Sequence, residues 1–468
     1  MTIPTQAALA AVGGKVRAAA RVPASLRFST DTRTLTPGDA FVALRGERFD
    51  GHAYVREALA AGAACVVVDD ASVVPQGASA IVVADTLAAY LAFAGIARAQ
   101  SSARVVAVTG STGKTTTKTF LAQLLERTVR GRVVATHANE NNAIGVAKLF
   151  LGMPHDTAFV VVEFGARHYG EIEPLARAAL PEVAVLTNIG DAHLEIMGSP
   201  ERLAQTKWGI FATGARRVLD ADDPVCVRRA AAETAGSRGA ASTVWFAARD
   251  AAGPALGQGA GAALNLFGRE RLSYVDGDRS CDFAIDVRVE GEHNLHNVAA
   301  AAAAAIALDV DAAAVAAALA ELHLPPGRYE RLALGDVDVI YDAYNASMSG
   351  SLATIASFAK EPAARRIAVL GSMAELGSES SDMHARVGEA AARSGLAALL
   401  VGGDFAQDLA RGARAGGLPE ERVVPFESNA VATQWLRANV RPGDLVLLKA
   451  SRRYKLEEIL DRLRSAYA

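Results

Sequence analysis

The chain has 468 residues, enough for about three domains of ordinary size. Its 48 basic and 51 acidic side chains leave a net charge of -3, which excludes the strongly basic surface typical of proteins that bind nucleic acid or anionic membranes. Three widely spaced cysteines and a start without an apolar leader predict a cytoplasmic protein, and the longest apolar run, residues 298–308, is too short to cross a bilayer. Small molecules are therefore the expected partners, with no nucleic acid and no membrane insertion.

The first 100 residues predict a small α/β domain. Strand candidates at 40–44 and 64–68 flank a helical pattern at 54–61. Two polar clusters, residues 29–33 and 48–52, lie close to these elements in the sequence. Composition alone favours ordinary loops for both clusters.

Residues 105–118, VVAVTGSTGKTTTK, predict a strand, a glycine-rich loop and the start of a helix that continues to about residue 130. The loop amides and the positive end of the helix dipole would converge on one point, an arrangement that suits a polyphosphate. Lys114 would reach the outer phosphates, and the Thr115 hydroxyl would bind the accompanying Mg²⁺. A polar turn with a solvated lysine is the alternative interpretation. The expected nucleotide-binding residues are Gly110, Ser111, Thr112, Gly113, Lys114, Thr115 and Thr116.

From residue 101 to about 325, strand and helix candidates alternate as in a parallel sheet with helices on both faces. Residues 230–290 interrupt this alternation with a Gly/Ala-rich stretch and short strands, which predict a β excursion with a mobile segment. Ligands of parallel sheets bind beyond the carboxyl ends of the strands. The polar candidates at these ends are Asn141, Asn142, Glu163 and His193.

Two of the charged residues in this region are unusual for their positions. Glu163 is the only acid in an apolar strand, and Mg²⁺ bound to nucleotide phosphates would give it a partner, although it could instead cap a helix. Lys207 falls on the apolar stripe of a helix that begins at Ser199-Pro200. A lysine there can extend its charge past the apolar rim, or it can be desolvated, which lowers its pKa and makes the amine reactive toward CO₂.

Pro325-Pro326-Gly327 breaks the chain and marks a second boundary. Beyond it, strand candidates at 337–341, 367–370, 397–401, 423–426 and 445–448 alternate with helices, which predicts a second open α/β domain without a phosphate loop. Arg328 and Asp342 fall at segment ends in this domain, where an arginine could hold a phosphate and an aspartate a ribose hydroxyl.

These segments together resemble the Mur ligase family over almost the whole chain. Residues 370–377, LGSMAELG, with His384 and Gly388 distinguish the chain within the family, and the Asp-Asn-Pro-Arg tetrapeptide usual in the sister enzyme that adds the third peptide residue does not occur. Ala147, Gly209, Ser347-Met348 and Ala450 depart from the family pattern. The motifs that carry the resemblance are Asp31-Thr32-Arg33, residues 41–44, Asp50-Gly51-His52, Thr109–Thr116, Asn141-Asn142-x-Ile144-Gly145-Val146, Glu163-x-Gly165, residues 187–195, Lys207, His293-Asn294-x-x-Asn297, Gly327-Arg328 and Asp342-x-Tyr344-Asn345-Ala346.

The resemblance implies a three-domain α/β fold. It consists of a small α/β N-terminal domain that binds the UDP sugar (1–100), a central P-loop-type parallel-sheet ATPase domain with a β excursion (101–325) and a C-terminal Rossmann-like open α/β domain (326–468). The implied reaction is ATP-dependent addition of D-alanyl-D-alanine to UDP-N-acetylmuramoyl-tripeptide through an acyl phosphate, in cytoplasmic peptidoglycan precursor synthesis, by a monomer. The third residue of the tripeptide, diaminopimelate or lysine, stays open.

The resemblance also implies the roles of individual residues. Thr115 and Glu163 would hold one Mg²⁺, and His193 with a carbamate on Lys207 would hold a second. Lys114, Lys207 and His193 are the implied catalytic residues. ATP would be bound from the far side of the cleft by Asn297, Arg328 and Asp342, and the substrate by Thr32, Arg33, Asp50, Gly51, His52, Asn141 and Asn142.

Two other functions remain open at this point. One is a related ligase of the folylpolyglutamate-synthase type, which shares the short phosphate loop, although residues 31–52 argue against it. The other is a binding protein that hydrolyses ATP only to change shape. ATP hydrolysis without added substrates would favour the binding protein. ATP hydrolysis that requires both a UDP-peptide and a dipeptide would favour the Mur-type ligase.

Overall fold

The computed structural model describes residues 1–17, 22–46, 49–190, 197–234, 242–249 and 262–467. Three open sheets follow one another along the chain, and each is packed with helices. None of the helices in these ranges combines the length and apolar character that a membrane-spanning segment requires.

The first unit contains a five-stranded sheet in the order β2-β7-β6-β5-β4. Its strands are Lys15–Arg17 (β2), Phe28–Ser29 (β4), Ala40–Val42 (β5), Cys65–Val68 (β6) and Ala80–Val82 (β7), and Ile3–Pro4 (β1) pairs separately with Ser25–Leu26 (β3). Both predicted strands are confirmed, and the predicted helix begins with a 3₁₀ turn. The helices are Thr5–Val12, Val55–Ala60 and Thr86–Ala99.

The central unit is built on a nine-stranded sheet in the order β16-β15-β14-β13-β12-β11-β8-β10-β9. Strands β8 to β14 run parallel, whereas β15 and β16 are added in antiparallel fashion at one edge. The predicted β excursion is therefore an extension of the central sheet, and the part of it at residues 250–261 lies outside the described residues. The strands are Arg104–Thr109 (β8), Arg132–Ala135 (β9), Thr157–Glu163 (β10), Val183–Leu186 (β11), Arg216–Asp220 (β12), Thr243–Arg249 (β13), Ala262–Phe267 (β14), Arg271–Asp276 (β15) and Arg279–Ala284 (β16).

Helices cover both faces of this sheet because its central strands are apolar on both sides. Residues 105–108 of β8 are fully buried, as are Phe120, Leu121, Leu124 and Leu125 of the following helix. That helix, Lys114–Thr128, ends two residues earlier than predicted. The described helices of the unit are Lys114–Thr128, Ala143–Gly152, Ile172–Ala179, Pro200–Trp208, Pro224–Thr234, the alanine-rich His293–Ala307, and Ala312–Ala318.

The third unit is a six-stranded sheet in the order β17-β18-β22-β19-β20-β21. Five strands are parallel, as the sequence predicts, and an antiparallel edge strand that the sequence did not predict, β17, precedes them. The strands are Glu330–Leu334 (β17), Val337–Tyr341 (β18), Arg365–Gly371 (β19), Leu396–Gly402 (β20), Val423–Phe426 (β21) and Asp444–Lys449 (β22), and the helices are Met348–Lys360, Ser380–Ala392, Ala406–Ala415, Asn429–Asn439 and Glu457–Tyr467.

Candidate active site

A single cleft of about 2200 Å³ is lined by residues of all three units. Pockets for one small ligand usually enclose about 300–1000 Å³, so this cleft has room for several substrates. Its floor is formed by the carboxyl ends of the central strands, which is where parallel sheets place their ligands. Residues 111–116 of the predicted phosphate loop line it, and so do Asn141, Asn142, Glu163, Asn297, Arg328 and Asp342.

The glycines of the phosphate loop let its backbone approach neighbouring side chains closely. A Cβ on Gly110 would lie 1.9 Å from Oγ1 of Thr187, and one on Gly113 would lie 2.2 Å from Oδ1 of Asn297. Gly113 also has φ +78°, which favours glycine. The amide of Thr112 donates to Oδ1 of Asn188 at 3.0 Å, so the loop is held from two sides.

Lys114 folds back over the loop that precedes its helix. Its Nζ donates to the carbonyl oxygens of Gly110 at 2.9 Å and Ser111 at 3.1 Å. Burial lowers the pKa of the amine, whereas the charge of Glu163 opposes this shift. The amine thus lies over the loop, beside the place where a bound triphosphate would lie.

Glu163 ends β10 beside this loop, and only 1% of its surface is exposed. Its Oε1 accepts hydrogen bonds from Nδ2 of Asn141 at 2.7 Å and from Oγ1 of Thr115 at 3.2 Å. No described residue donates a hydrogen bond to Oε2, which lies 3.4 Å from Nζ of Lys118. A buried carboxylate oxygen next to a threonine hydroxyl is a donor set that suits Mg²⁺.

Lys207 is also buried, with 1% of its surface exposed. Its helix begins as predicted, because Oγ of Ser199 accepts the amide hydrogen of Arg202 and Pro200 occupies the first turn. Burial first, and then the charge of Lys114, lower the pKa of Lys207 far below its usual value. A neutral amine can form a carbamate, so the residue fits the predicted modification. His193, the other predicted ligand of a second Mg²⁺, lies outside the described residues.

Residues of the central helix His293–Ala307 and of the third unit reach the phosphate loop from its far side. Oδ1 of Asn297 accepts from the Thr117 hydroxyl at 3.2 Å. Nη2 of Arg328 lies 3.4 Å from Oγ1 of Thr115, and its guanidinium stacks 4.4 Å above the ring of Tyr344. The third unit thus places a cation beside Thr115, in the first turn of the helix that follows the predicted phosphate loop.

Asp342 lines the cleft but already has protein partners. Its Oδ2 lies 2.9 Å from Nζ of Lys449 and accepts from the Thr354 hydroxyl at 2.5 Å, while Oδ1 accepts from the amide of Tyr329 at 3.3 Å. Burial favours the protonated acid, but the charge of Lys449, together with the hydrogen bonds from Thr354 and Lys449, outweighs burial and lowers the pKa of Asp342. A ribose contact by this carboxylate stays a prediction.

Three family models match consecutive parts of the chain. The Mur ligase family, catalytic domain, matches residues 28–99, the Mur ligase middle domain matches residues 108–305, and the Mur ligase glutamate ligase domain matches residues 327–452. A relative from Synechocystis sp. named UDP-N-acetylmuramoyl-tripeptide--D-alanyl-D-alanine ligase is 33% identical over 441 residues, which cover 93% of this chain and 91% of the relative. The chain belongs to the Mur ligase family.

Other relatives and solved structures resemble this Mur ligase over its full length. A Bacillus subtilis relative with the same name is 32% identical, with 93% of this chain and 92% of the relative covered. MurF from Acinetobacter baumannii has a TM-score of 0.85 at 26% identity and covers 99% of each chain. MurF ligase from Thermotoga maritima in complex with ADP has a TM-score of 0.78 at 28% identity and covers 94% of this chain and 98% of the other. The three-part α/β fold expected from the sequence is confirmed.

A solved structure of a differently named protein has a similar fold. Escherichia coli FolC in complex with DHPP and ADP has a TM-score of 0.61 at 17% identity and covers 81% of this chain. At this identity the likeness concerns the fold alone.

In the first unit of this Mur ligase, some of the predicted substrate residues support a cleft residue that the sequence analysis did not identify. Arg45 lines the cleft, and its guanidinium pairs with Asp50 and, at 2.9 Å, with Asp69. His52 is buried between the same two acids, with its ring nitrogens 2.7 Å from Asp50 and 3.1 Å from Asp69. A Cβ on Gly51 would lie 2.8 Å from the backbone of Leu44, so the turn needs glycine. The network therefore orients Arg45.

The remaining predicted substrate residues have local partners. The Thr32 hydroxyl donates to Oε1 of Glu57 at 2.5 Å, and Arg33 pairs with Asp31 at 2.7 Å. These two residues do not belong to the described lining of the cleft. Asn142 lines the cleft and caps the helix Ala143–Gly152 by accepting from the amide of Gly145 at 3.0 Å.

Lys118 is a second residue of the site that sequence reasoning missed. It lies one helical turn after Lys114, is almost fully buried, and places Nζ 3.4 Å from Glu163. Burial lowers the pKa of this amine, whereas Glu163 opposes the shift. The spacing of four residues from Lys114 is the sequence signal that could have identified it.

Proposed function

We infer that this Mur ligase joins D-alanyl-D-alanine to UDP-N-acetylmuramoyl-tripeptide and cleaves ATP to ADP and phosphate. The observation that carries the proposal is the match over 93% of the chain to relatives named for this reaction. A MurF ligase of similar structure binds ADP, which supports the use of ATP. The cleft, lined by all three units, has room for the nucleotide and both substrates.

The reaction takes place in two steps. A carboxylate oxygen of the tripeptide terminus attacks the γ-phosphorus of ATP, the bond to the β-γ bridging oxygen breaks, and ADP leaves with that electron pair. The neutral amine of the dipeptide then attacks the acyl carbon of the acyl phosphate. The C–O bond breaks, phosphate leaves, and the amine loses a proton as the amide forms.

Charge repulsion is the main obstacle to the first step. Two like unit charges about 4 Å apart repel by roughly 4 kcal/mol at an effective dielectric near 20, and a carboxylate that approaches a triphosphate meets several such charges. Lys114 and the loop amides neutralise part of the triphosphate charge, and Arg328 contributes a cation from the third unit. We expect the substrates to draw these units together, since each holds part of the site.

Mg²⁺ fits the donor set of Thr115 and Glu163. When bound, it supplies Lewis acidity and neutralises phosphate charge. Asn141 orients the carboxylate of Glu163, and Lys118 limits the charge left on it. We propose that Lys207 carries a carbamate, which would replace a cation by an anion, and that this carbamate and His193 hold a second Mg²⁺.

We further propose domain limits near residues 100 and 325, with the UDP moiety in the first domain. The protein would act as a monomer, because all three units that line the cleft belong to one chain. We propose that the protein acts in the cytoplasm, where ATP and both substrates would be available to it.

A phosphate-release assay tests the proposed reaction. UDP-N-acetylmuramoyl-tripeptides with diaminopimelate or lysine at the third position are supplied with ATP, with and without D-alanyl-D-alanine. We expect phosphate release only when both substrates are present, together with a UDP-pentapeptide product detectable by mass. Equal ATP hydrolysis without the dipeptide would contradict the proposal and favour a nucleotide-driven switch.

A further inference from the structure

Arg167 and Glu375 meet across the cleft from two different units. Arg167 lies four residues beyond the end of β10 in the central unit, and Glu375 lies four residues beyond the end of β19 in the third unit. Nη2 of Arg167 is 3.5 Å from Oε1 of Glu375. Both residues line the cleft that contains the phosphate loop. A cation and an anion from different units therefore lie side by side in the lining of this cleft.

The backbone at Glu375 is strained and firmly supported. Its φ of +62° lies in the left-handed region, which non-glycine residues seldom adopt. Two residues before Glu375, Met373 donates its amide hydrogen to Nε2 of buried His384 at 2.8 Å. Next to it in the sequence, Oγ of Ser372 accepts the amide hydrogen of Phe405 at 2.8 Å. Strain that surrounding contacts maintain is typical of functional loops. The loop thus holds a carboxylate in the cleft at a conformational cost.

His384 belongs to the sequence motif that distinguishes this chain within its family. Its Nδ1 donates to the carbonyl oxygen of Ser380 at 2.5 Å, so Nε2 is left as the acceptor for Met373. Burial lowers the pKa of His384 and keeps the ring neutral. His384 therefore holds the backbone of this motif at Met373, two residues before Glu375.

The segment that carries Arg167 is fixed from the central unit. The amides of Arg167 and His168 donate to Oε2 of Glu171 at 2.8 and 3.0 Å. A Cβ on Gly165 would lie 2.5 Å from Oδ1 of Asn141, the residue that bonds Glu163. The side chain of Arg167 is 61% exposed, and its backbone is connected through Gly165 and Asn141 to the predicted magnesium site.

We propose that Arg167 and Glu375 recognise the two charged ends of the acceptor dipeptide as it binds, Arg167 its carboxylate and Glu375 its ammonium group, which then loses a proton to solvent to become the neutral amine that attacks. This inference rests on the proposed function. D-Alanyl-D-alanine has one full charge at each terminus and only two methyl groups as side chains, so its termini supply most of what a site can recognise. A guanidinium can bind a carboxylate in bidentate fashion, and a carboxylate complements an ammonium group.

The two residues are able to exchange partners at low cost. The Arg167 and Glu375 side chains are 61% and 38% exposed, and exposed ion pairs contribute little to stability. A zwitterion that enters between them restores one favourable charge contact to each residue. Binding would also connect the central and third units through the substrate, which places the acceptor between the units that carry ATP.

A clasp that merely holds the two units together is the competing explanation for the pair. Steady-state kinetics with Arg167→Gln, Glu375→Gln and the double variant Arg167→Glu/Glu375→Arg separates the two explanations. D-Alanyl-D-alanine is compared with D-alanyl-D-alaninamide, which lacks the carboxylate charge. Arg393→Gln is the matched control, because Arg393 forms an exposed pair with Glu389 on a helix of the third unit.

We expect each single variant to raise the KM for the dipeptide by roughly tenfold or more, with the KM values for ATP and the UDP-tripeptide changed less than about twofold. Arg167→Gln should also lose the wild-type preference for the dipeptide over its amide. The double variant should stay impaired, because its charges face the wrong ends of the dipeptide. Arg393→Gln should behave like the wild type.

Two results would overturn the inference: unchanged dipeptide KM values in the single variants, or recovery of wild-type kinetics by the double variant, which would identify a clasp. Failure of the proposed function would look different. In that case the wild-type protein itself would release no phosphate in response to the dipeptide.

Discussion

The side-chain amide of Asn141 donates a 2.7 Å hydrogen bond to Oε1 of Glu163 and so orients the carboxylate at the end of β10. Thr115 donates to the same oxygen, and Oε2 accepts no hydrogen bond from the described residues. This arrangement is typical of a metal-binding carboxylate supported by a neighbouring amide. The proposed magnesium site would therefore depend on a residue that we do not expect to contact the ion.

Replacement of Asn141 tests whether Mg²⁺ binding depends on its side-chain amide. We expect Asn141→Ala to raise the Mg²⁺ concentration needed for half-maximal phosphate release by roughly 10- to 100-fold, because the carboxylate loses its orienting partner. The control is Asn439→Ala, an exposed asparagine whose side-chain amide donates to the carbonyl oxygen of Trp435 within its own helix. An unchanged Mg²⁺ dependence in Asn141→Ala would contradict the proposed site.

Lys114 offers a test of the phosphate loop. We expect Lys114→Ala to lower kcat by roughly 10²- to 10³-fold or more, because the cation that would face the outer phosphates is lost, while circular dichroism and thermal unfolding stay close to wild type. Lys148→Ala is the control, since that exposed lysine pairs with Glu140 on the surface. Near-normal ADP release by Lys114→Ala would remove the phosphate-loop assignment.

Local sequence patterns were enough to predict those parts of the site that are formed by neighbouring residues in the chain. The strand, glycine turn and helix of residues 105–118 form a local pattern, and the apolar residues of that pattern are buried as expected. The isolated acid Glu163 was recognisable for the same reason, because a single charge in an apolar strand requires a partner. Local periodicity also gave most strands of the three sheets.

Residues whose roles depend on distant partners were not predictable in this way. Arg45 is oriented by Asp69, 24 residues away, and Asp342 pairs with Lys449, which is 107 residues away. Nothing in the local sequence indicates that the Asp342 carboxylate is shared among three protein donors. Strand β17 was missed because its residues are only partly buried at an edge, so their apolar pattern is weak.

Lys207 allows a test of the proposed carbamate. Because its lowered pKa favours the neutral amine, it can react with CO₂, and we expect Lys207→Ala to be inactive but partly restored by formate or acetate, which would supply the missing carboxylate. Lys207→Arg keeps a cation but cannot form the carbamate, and it should stay inactive without rescue. Carbon-13 NMR with labelled CO₂ should show a carbamate signal in the wild type that Lys207→Arg lacks. Full activity of Lys207→Ala in CO₂-free buffer would exclude the carbamate.

His293 of the central unit contacts two residues of the third unit. Its Nδ1 lies 2.9 Å from Oγ of Ser357, and its ring packs edge-on against Tyr329 at 5.1 Å. Burial, assisted by the charge of Lys449 and opposed by that of Asp342, lowers the pKa of His293 from 6.5 to about 4. The folded protein therefore favours the neutral ring.

Between pH 4 and pH 6.5, the unfolded chain binds more protons at His293 than the folded chain does. The stability of the folded protein should therefore rise with pH from about 4 to 6.5, and it should be lost as pH falls through that range. The shift corresponds to about 3 kcal/mol. We expect His293→Gln, which keeps a hydrogen-bonding side chain but does not titrate, to lose less stability than the wild type between about pH 7 and pH 4.5, as measured by the thermal unfolding midpoint. The exposed His155→Gln should retain the wild-type difference. An equal loss in His293→Gln and the wild type would show that protonation of His293 does not drive acid destabilisation.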